Sequence, residues 1–441
     1  MADKANETAT ILPPHYRWNA VALMGDWISF SLALSFVSVS TVLPTLIDRL
    51  THSPVAVGLV STLASGGWLL PQLFAAGRIS RLPRKKPGII LPSLIGRPMF
   101  ILGALALFLL AASRPVVTAA IILAGFGIFN TCDGIASVAW FDLFSKAIPP
   151  SRRGRFIGTT QVVSALLTTG VGGVVGYVLG DRSPFAYPAN YASLFLVGGF
   201  FLALSLAFCA SIRETPCQVN GTALTIRDYM RELGNIWRGD ANFRTISVIR
   251  IILGLTSLSS PFYAVYATNQ KGLPTATIGL FLSAQIVGGF LYSIVGGYLL
   301  ERFGGRLTTR IEAFIAVIAP AIATLAGVFL SGNAPGFIAA YLLLFASLGA
   351  LNSSFMLGHM NYLLEISPES KRPIYVGLSN TLTGIIIAFP LLGGAVASAI
   401  SYEPLFGLTT VGLLPALGLT ARLAEPRALA KPAETPATPQ Q

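Results

Sequence analysis

Charge is the scarcest commodity in this chain. Of 441 residues, 11% are Asp, Glu, Lys or Arg, against about 25% in a soluble domain. A soluble surface needs charge to stay dispersed. A lipid-facing surface needs none, so the deficit excludes an ordinary soluble fold. Acid is scarcer than base, 18 residues against 30, for a net charge of +12. The basic residues sit in short clusters between long apolar runs, a distribution that excludes nucleic acid as a partner. Three cysteines, Cys132, Cys209 and Cys217, form no CxxC pair and no disulfide framework. Three histidines, His15, His52 and His359, are too scattered for a metal site, and no metal or cofactor is expected. No GxxxxGK[ST] loop occurs, which excludes ATP-driven pumping by this chain. The polar start, residues 1–18, carries Pro13 and Pro14 but no charged, apolar and cleavage regions in series. No cleaved signal peptide is expected, and the first span directs insertion.

Long apolar runs are what the chain does have. A membrane helix needs about 20 mostly apolar residues. Such segments run 19–46, 54–76, 89–112, 116–143, 156–180 and 188–212, then 245–268, 275–300, 308–331, 335–363, 375–399 and 403–423. The expected fold is an all-α membrane protein of twelve transmembrane helices, spans 1 to 12. Residues 1–212 form an N-terminal six-helix half and 213–243 a polar linker, partly helical along the membrane surface. Residues 244–424 form a C-terminal six-helix half and 425–441 a disordered tail rich in Pro, Ala and Thr. With the N-terminus inside, the outer loops hold only Arg49, Arg114, Arg182 and Lys271. The inner loops hold groups such as Arg84–Lys86 and Arg152–Arg155. This asymmetry predicts cytoplasmic termini in a cell membrane, the inner membrane if the source is bacterial.

Two basic loops recur at an offset of about 220 residues, as in duplicated transporter halves. Pro149-Pro150-Ser151-Arg152-Arg153-Gly154-Arg155-Phe156 aligns without a gap on Pro368-Glu369-Ser370-Lys371-Arg372-Pro373-Ile374-Tyr375. Gly297-Tyr298-Leu299-Leu300-Glu301-Arg302-Phe303-Gly304-Gly305-Arg306 follows span 8. Its counterpart after span 2 is Gly77-Arg78-Ile79-Ser80-Arg81-Leu82-Pro83-Arg84. These residues resemble the major facilitator superfamily, whose loop between spans 2 and 3 reads G-x-L-x-D-R-x-G-R-[KR] and is often echoed between spans 8 and 9. An R-G-R-x-x-G element follows that family's span 4. The second copy is the better match, with Glu301 in the acid's place. In the first copy Arg81 stands where the acid should be, which takes away the family's usual acid-to-helix latch there.

Glycine at a helix end lets two helices approach, and the acid can sit on a neighbouring helix N-terminus. Asp142, at the inner end of span 4, is expected to pair with Arg78 or Arg81, and Asn361 is its counterpart near Arg302. Such contacts suit a gate that forms in one state and breaks in another. Gly77, Arg78, Arg81, Asp142, Arg152, Arg153, Arg155, Gly297, Glu301, Arg302, Gly304, Arg306, Asn361 and Arg372 are the gating set; simple topology control by positive charge is the other reading. The glycines of span 5, among them Gly170 and Gly173, read as close-packing positions. The resembled family's antiporters often carry Gly-Pro in span 5, and this chain has no proline there.

Polar groups inside a membrane are costly and therefore functional by default. Asp26 lies in span 1, Asn130 and Asp133 in span 4, Arg250 and Tyr263 in span 7, Gln285 in span 8, and Asn352 and His359 in span 10. The resemblance implies that spans 1, 4, 7 and 10 line a central cavity, and these residues make up the expected substrate or proton site. Asp133, near mid-depth, is either a proton or cation carrier or one end of a permanent tie to an internal arginine. Asp26 and Arg250 are expected to bridge the two halves; Arg250 snorkelling to the interface is the alternative. His359 is a proton relay or a packed histidine. Tyr263, Tyr266, Trp27 and Trp140 wall a cavity or simply pack. Arg97 and Glu312 read as structural. More acid than base at the site favours cationic or neutral cargo.

The reading is a secondary active transporter of a small molecule, proton-coupled, working by alternating access as a monomer among membrane lipids. A non-transporting assembly or pigment- or lipid-handling protein on the same fold is the alternative. An enzyme is not expected, since no nucleophile–base pair or large outer loop occurs.

Overall fold

The computed structural model describes residues 13–79, 82–215, 226–332, 334–368 and 372–425. Among them the structure is helical, without strands. Twelve helices are long and apolar enough to cross a membrane: Tyr16–Phe36, Pro54–Gln72, Lys86–Leu110, Pro115–Ala147, Arg155–Leu179, Ala189–Ser211, Ala241–Gln270, Thr277–Phe303, Gly305–Phe329, Pro335–Ile366, Tyr375–Ala399 and Tyr402–Thr420. Helices suit lipid because every backbone group is satisfied within its own segment. Proline opens several of these helices, at Pro54, Pro115, Pro150 and Pro335, where its missing N–H costs nothing. Asp240 caps span 7, accepting from Phe243 N at 2.9 Å.

The chain divides into two compact units, Met1–Ala223 with Pro274–Gly279 and Leu224–Leu273 with Leu280–Gln441. Each has its own apolar core. One gathers Leu23, Ile89, Ala139 and Leu143. The other gathers Phe243, Ile249, Tyr362 and Leu413, and it includes Ile236 from the helix Ile226–Gly239. The expected partly helical linker thus contains a real helix, which packs on the second core.

Span 1 is shorter than the apolar run that announced it. The helix ends at Phe36, and a separate short helix, Val42–Thr51, follows. Both segments are apolar, so hydropathy alone joins them; Ser38, Ser40 and Thr41 mark the break. Span 3 is interrupted at Arg97–Pro98, between Lys86–Gly96 and Met99–Leu110, as a proline that lacks an N–H and clashes with the preceding turn requires. In the second unit, span 7 is interrupted at Gly254–Leu255 and again at Ser260–Pro261. A π-helical turn covers Met356–Met360 in span 10, and 3-10 helix covers Thr383–Ala388 in span 11.

The basic loops hold helix ends, though with partners other than those expected. Asp142 pairs with Lys146 at 2.9 Å and Lys85 at 3.6 Å, whereas Arg78 is exposed and Arg81 lies outside the described residues. Lys85 wins because it is buried (3% exposed) beside the end of span 2, donating to Ile79 O at 2.7 Å. The acid missing at Arg81 is replaced from a distance. The Glu214 carboxylate, just past span 6, accepts from Lys85 N and Lys86 N at 2.5 and 2.8 Å, the first turn of span 3, where the helix dipole favours an anion. In the second unit Glu365, at the end of span 10, accepts from Gly305 N at 3.3 Å, the first residue of span 9. Arg153 donates to Ile148 O at 3.0 Å and Ser145 O at 2.5 Å, closing the end of span 4. Arg152 lies 5.3 Å over the Tyr16 ring. Arg306 reaches Ala421 O at 3.3 Å, and Arg302 donates to the Tyr298 hydroxyl at 2.6 Å. Glu301 and Arg155 are exposed, Gly304 sits at φ 82° before span 9, and Asn361 begins the last turns of span 10. Gly77 belongs to the helix that ends at Ile79. The Arg372 side chain lies outside the described residues. Gly297, Gly170 and Gly173 have open space where a Cβ would stand, whereas the close packing expected of span 5 is found at Gly176 and Gly180, where a Cβ would stand 3.0 Å from Ala276 O and 3.3 Å from Ala276 Cβ.

Candidate functional site

The first unit encloses a cavity of about 220 Å³ walled by Asp26, Trp27, Phe30 and Ser31 of span 1, Trp68 of span 2, Ile89 and Arg97 of span 3, and Asp133, Ala136, Ser137, Trp140 and Phe141 of span 4. The break at Pro98 leaves Arg97 at the turn, almost wholly buried. Its guanidinium donates to Leu202 O at 2.9 Å and lies 4.0 Å from Asp26 Oδ1. Asp26 is saturated. Besides Arg97, one oxygen accepts from Trp140 Nε1 at 2.7 Å and the other from the Ser205 hydroxyl. A carboxylate so held is a structural tie, and Asp26 takes the role that Asp133 was weighed for.

Asp133 is held more loosely. It lies on the cavity wall, hydrogen-bonded by the Trp68 side chain and acted on through space by Arg97 and Asp26. Span 4 meets span 2 closely here: a Cβ at Gly134 would stand 2.4 Å from Trp68 O, so only glycine lets Trp68 close on its neighbour. Trp140 stacks on Phe144 at 5.3 Å and meets Trp27 edge-on at 5.8 Å. The cavity therefore offers two carboxylates against one guanidinium, framed by three indoles.

The second unit repeats the arrangement with the signs exchanged. Arg250 of span 7 places its guanidinium 4.1 Å over the Phe355 ring and feels Glu312 of span 9 through space. Glu312 is fully buried; one oxygen accepts from His359 N at 3.0 Å. His359 Nε2 meets the Ser379 hydroxyl at 3.3 Å, and its ring stacks on Phe355 at 5.5 Å. Glycine is needed at 358, where a Cβ would stand 2.7 Å from Glu312 Oε2.

The predicted site residues thus fall into separate places. Asp26 and Asp133 share the first unit's cavity, while Arg250 and His359 share the second unit's cluster. Asp26 and Arg250, expected to pair with each other, each find partners inside their own unit. Asn130 is turned back on its own helix, donating to Phe126 O at 2.8 Å. Tyr263 is fully buried with its hydroxyl 2.6 Å from Ser259 Oγ. Gln285 is half-buried and Asn352 exposed. Sequence reasoning read Arg97 and Glu312 as structural; Arg97 is the cation of the Asp26 tie, and Glu312 lies in the second unit's buried cluster. Their signal was visible: charge within an apolar run, at corresponding spans of the two repeats.

These features define a polytopic α-helical membrane protein whose twelve spans divide between two compact units. Residues 249–441, which include the second copies of both loops, match the model described as Major Facilitator Superfamily. The chain is 23% identical over 335 residues to an uncharacterized protein of Mycobacterium tuberculosis and to one of Mycobacterium bovis, covering 74% of this chain and 64% of each relative. The chain therefore spans under two thirds of the length of the curated relatives it matches. Among solved structures it is similar to a bacterial homologue of the iron transporter ferroportin (TM-score 0.64, 15% identity, 92% of this chain and 98% of that one). It is also similar to an auto-inhibited POT family peptide transporter (0.68, 12%, 96% and 99%) and to the nucleoside transporter NupG (0.63, 12%, 92% and 98%). At such identities the likeness is one of fold.

Proposed function

We propose that this protein is a secondary active transporter that moves a small organic cation, or a neutral amphipathic molecule, by alternating access, with the first unit's cavity as its cargo site. The named structural relatives carry cargoes as different as metal, peptide and nucleoside, so the fold does not select the cargo; the site must. The observation that carries the reading is the composition of that cavity: Asp133 on its wall with Trp68 as hydrogen-bond partner, Asp26 already neutralised by Arg97, and Trp27, Trp68 and Trp140 around them. Indole faces attract cations by about 0.5–2 kcal/mol each, and a wall carboxylate supplies the charge. In this reading both termini face the cytoplasm, an orientation that the basic loops support through the positive-inside rule. Substrate flux is driven by protons in this reading.

The test uses purified protein and tetraphenylphosphonium as a lipophilic cation probe, with indole fluorescence quenching as readout. Saturable quenching that Asp133→Asn weakens tenfold or more is expected. In proteoliposomes, uptake of the probe should follow an imposed pH gradient. Equal binding of cationic and anionic probes by wild type and variant would remove the reading.

A further inference from the structure

The loop between spans 2 and 3 is rich in base and empty of acid. Residues 77–86 hold Arg78, Arg81, Arg84, Lys85 and Lys86, with no Asp or Glu among them. Lys85 is buried and paired with Asp142. Arg84 is exposed and, among the described residues, makes no salt bridge. It lines a groove of about 610 Å³ together with Lys86, Ile90, Leu91, Arg213 and Glu214. Small-ligand sites occupy about 300–1,000 Å³. The groove lies where Lys86 opens span 3 and Ser211 closes span 6, the level at which both helices leave the apolar layer. Three cations face one carboxylate there, and that carboxylate is already engaged. One Glu214 oxygen accepts from Lys85 N and the other from Lys86 N.

Two of the cations are held in position. Asn19 of span 1 clamps the backbone of Arg213, accepting from its N–H at 2.9 Å and donating to its carbonyl at 3.0 Å. The Arg213 guanidinium rests 5.0 Å over the Trp18 ring, and Trp18 Nε1 donates to Ser211 O at 2.8 Å. Tryptophan favours the headgroup level of a membrane. Lys86 Nζ donates to Ile212 O at 3.0 Å and keeps further N–H donors for a ligand. The charged mouth runs into an apolar wall. Leu91 is 64% exposed, and Leu94 and Ile95, one turn further along the same face of span 3, are exposed as well. A second groove of about 280 Å³, between Val21 of span 1 and Leu204 and Phe208 of span 6, meets the first at Ser211. A dissolved anion would use the cations and leave these apolar faces idle. A lipid uses both. We propose that the groove binds an anionic phospholipid from the leaflet at this end of the spans, its phosphate on Arg84, Lys86 and Arg213 and an acyl chain along Leu91, Leu94 and Ile95. The guanidinium fork matches phosphate oxygens, and basic pockets between membrane helices suit anionic head groups. The bound lipid ties the loop between spans 2 and 3 to the root of the linker at Arg213. The site is distinct from the cargo cavity: Ile89 lines that cavity, while Ile90 and Leu91 line this groove.

The test is thermal unfolding of the purified full chain in detergent, with no cargo present. It is titrated with phosphatidylglycerol, with phosphatidylcholine of the same chains, and with glycerol phosphate. Phosphatidylglycerol should raise the melting temperature saturably, and the other two should not. Arg84→Gln combined with Arg213→Gln should raise the phosphatidylglycerol concentration at half-shift tenfold or more. Arg114→Gln combined with Arg422→Gln removes the same charge from exposed residues that do not line the groove, and should leave that midpoint unchanged. Arg84→Gln alone decides the matter if the double variant fails to accumulate. Phosphatidylglycerol brominated on its acyl chains should quench the indole fluorescence of wild type more than that of Trp18→Phe. Equal shifts with the two lipids, a wild-type midpoint in the Arg84 and Arg213 variants, or equal quenching with and without Trp18 overturns the proposal. An equal shift with glycerol phosphate overturns the lipid as occupant and assigns the groove to a free phosphate.

Discussion

In the first unit the acid of the buried pair is on span 1 and the base on span 3, whereas in the second the base is on span 7 and the acid on span 9. Corresponding spans carry opposite charges. The surroundings differ as well. Asp26 collects Arg97, Trp140 and Ser205, and each of its two oxygens has a hydrogen-bond donor. Glu312 collects one backbone N–H and leaves an oxygen unmet. The first pair is a finished tie beside an open cavity. The second is an unfinished cluster in a closed interior, around which spans 7, 10 and 11 all depart from regular α-helix. Corresponding spans of the two units thus carry opposite charges in surroundings that differ: held at both oxygens in one, unmet at one oxygen in the other.

The comparison is broken or sharpened most strongly at its cations. Removing one partner of a buried ion pair strands the other, at a cost of about 3–5 kcal/mol. Arg97→Met should lose that much in thermal denaturation, and adding Asp26→Asn should restore much of it. Arg250→Met should cost clearly less, since Arg250 makes no ion-pair contact; equal losses would end the distinction. Next comes the ring under Arg250. Phe355→Leu removes a desolvated cation–π contact worth about 2 kcal/mol, and the melting temperature should fall accordingly. Gly358→Ala pushes a methyl against Glu312 Oε2, an overpacking cost of about 1–2 kcal/mol, read as a lower melting temperature. The smallest effect belongs to the surface of the first unit. Lys146→Ala removes a half-exposed i,i+4 pair with Asp142, worth about 0.3–0.5 kcal/mol, and its effect should vanish in high salt.

The twelve spans and the repeated loops were legible because hydropathy and basic clusters are one-dimensional signals. The end of span 1 was not, since Val42–Thr51 is as apolar as the helix before it and only Ser38, Ser40 and Thr41 mark the turn. The intramembrane charges were legible as a set. Their pairing was not, because a helix fixes which residues share a face but not which neighbouring helix that face meets. Asp26 was therefore matched with Arg250 by depth, when the kink at Pro98 had turned Arg97 towards it. The pairing of Asp142 with Lys85 was not foreseen for a related reason. Lys85 follows a proline-marked turn and folds back on Ile79, a path that motif alignment does not describe. Glu214 was overlooked because it is far in sequence from the helix it caps.

That cap also sets the length of a leash. Glu214 is fastened to the start of span 3 in one unit, and Asp240, past the helix Ile226–Gly239, is fastened by Phe243 N and the Tyr375 hydroxyl in the other. Only residues 215–225 lie between the first anchor and that helix. Fully drawn out, they reach about 40 Å. Glu214→Ala would let out only that one residue, because Asn19 still holds the backbone of Arg213 by both its N–H and its carbonyl.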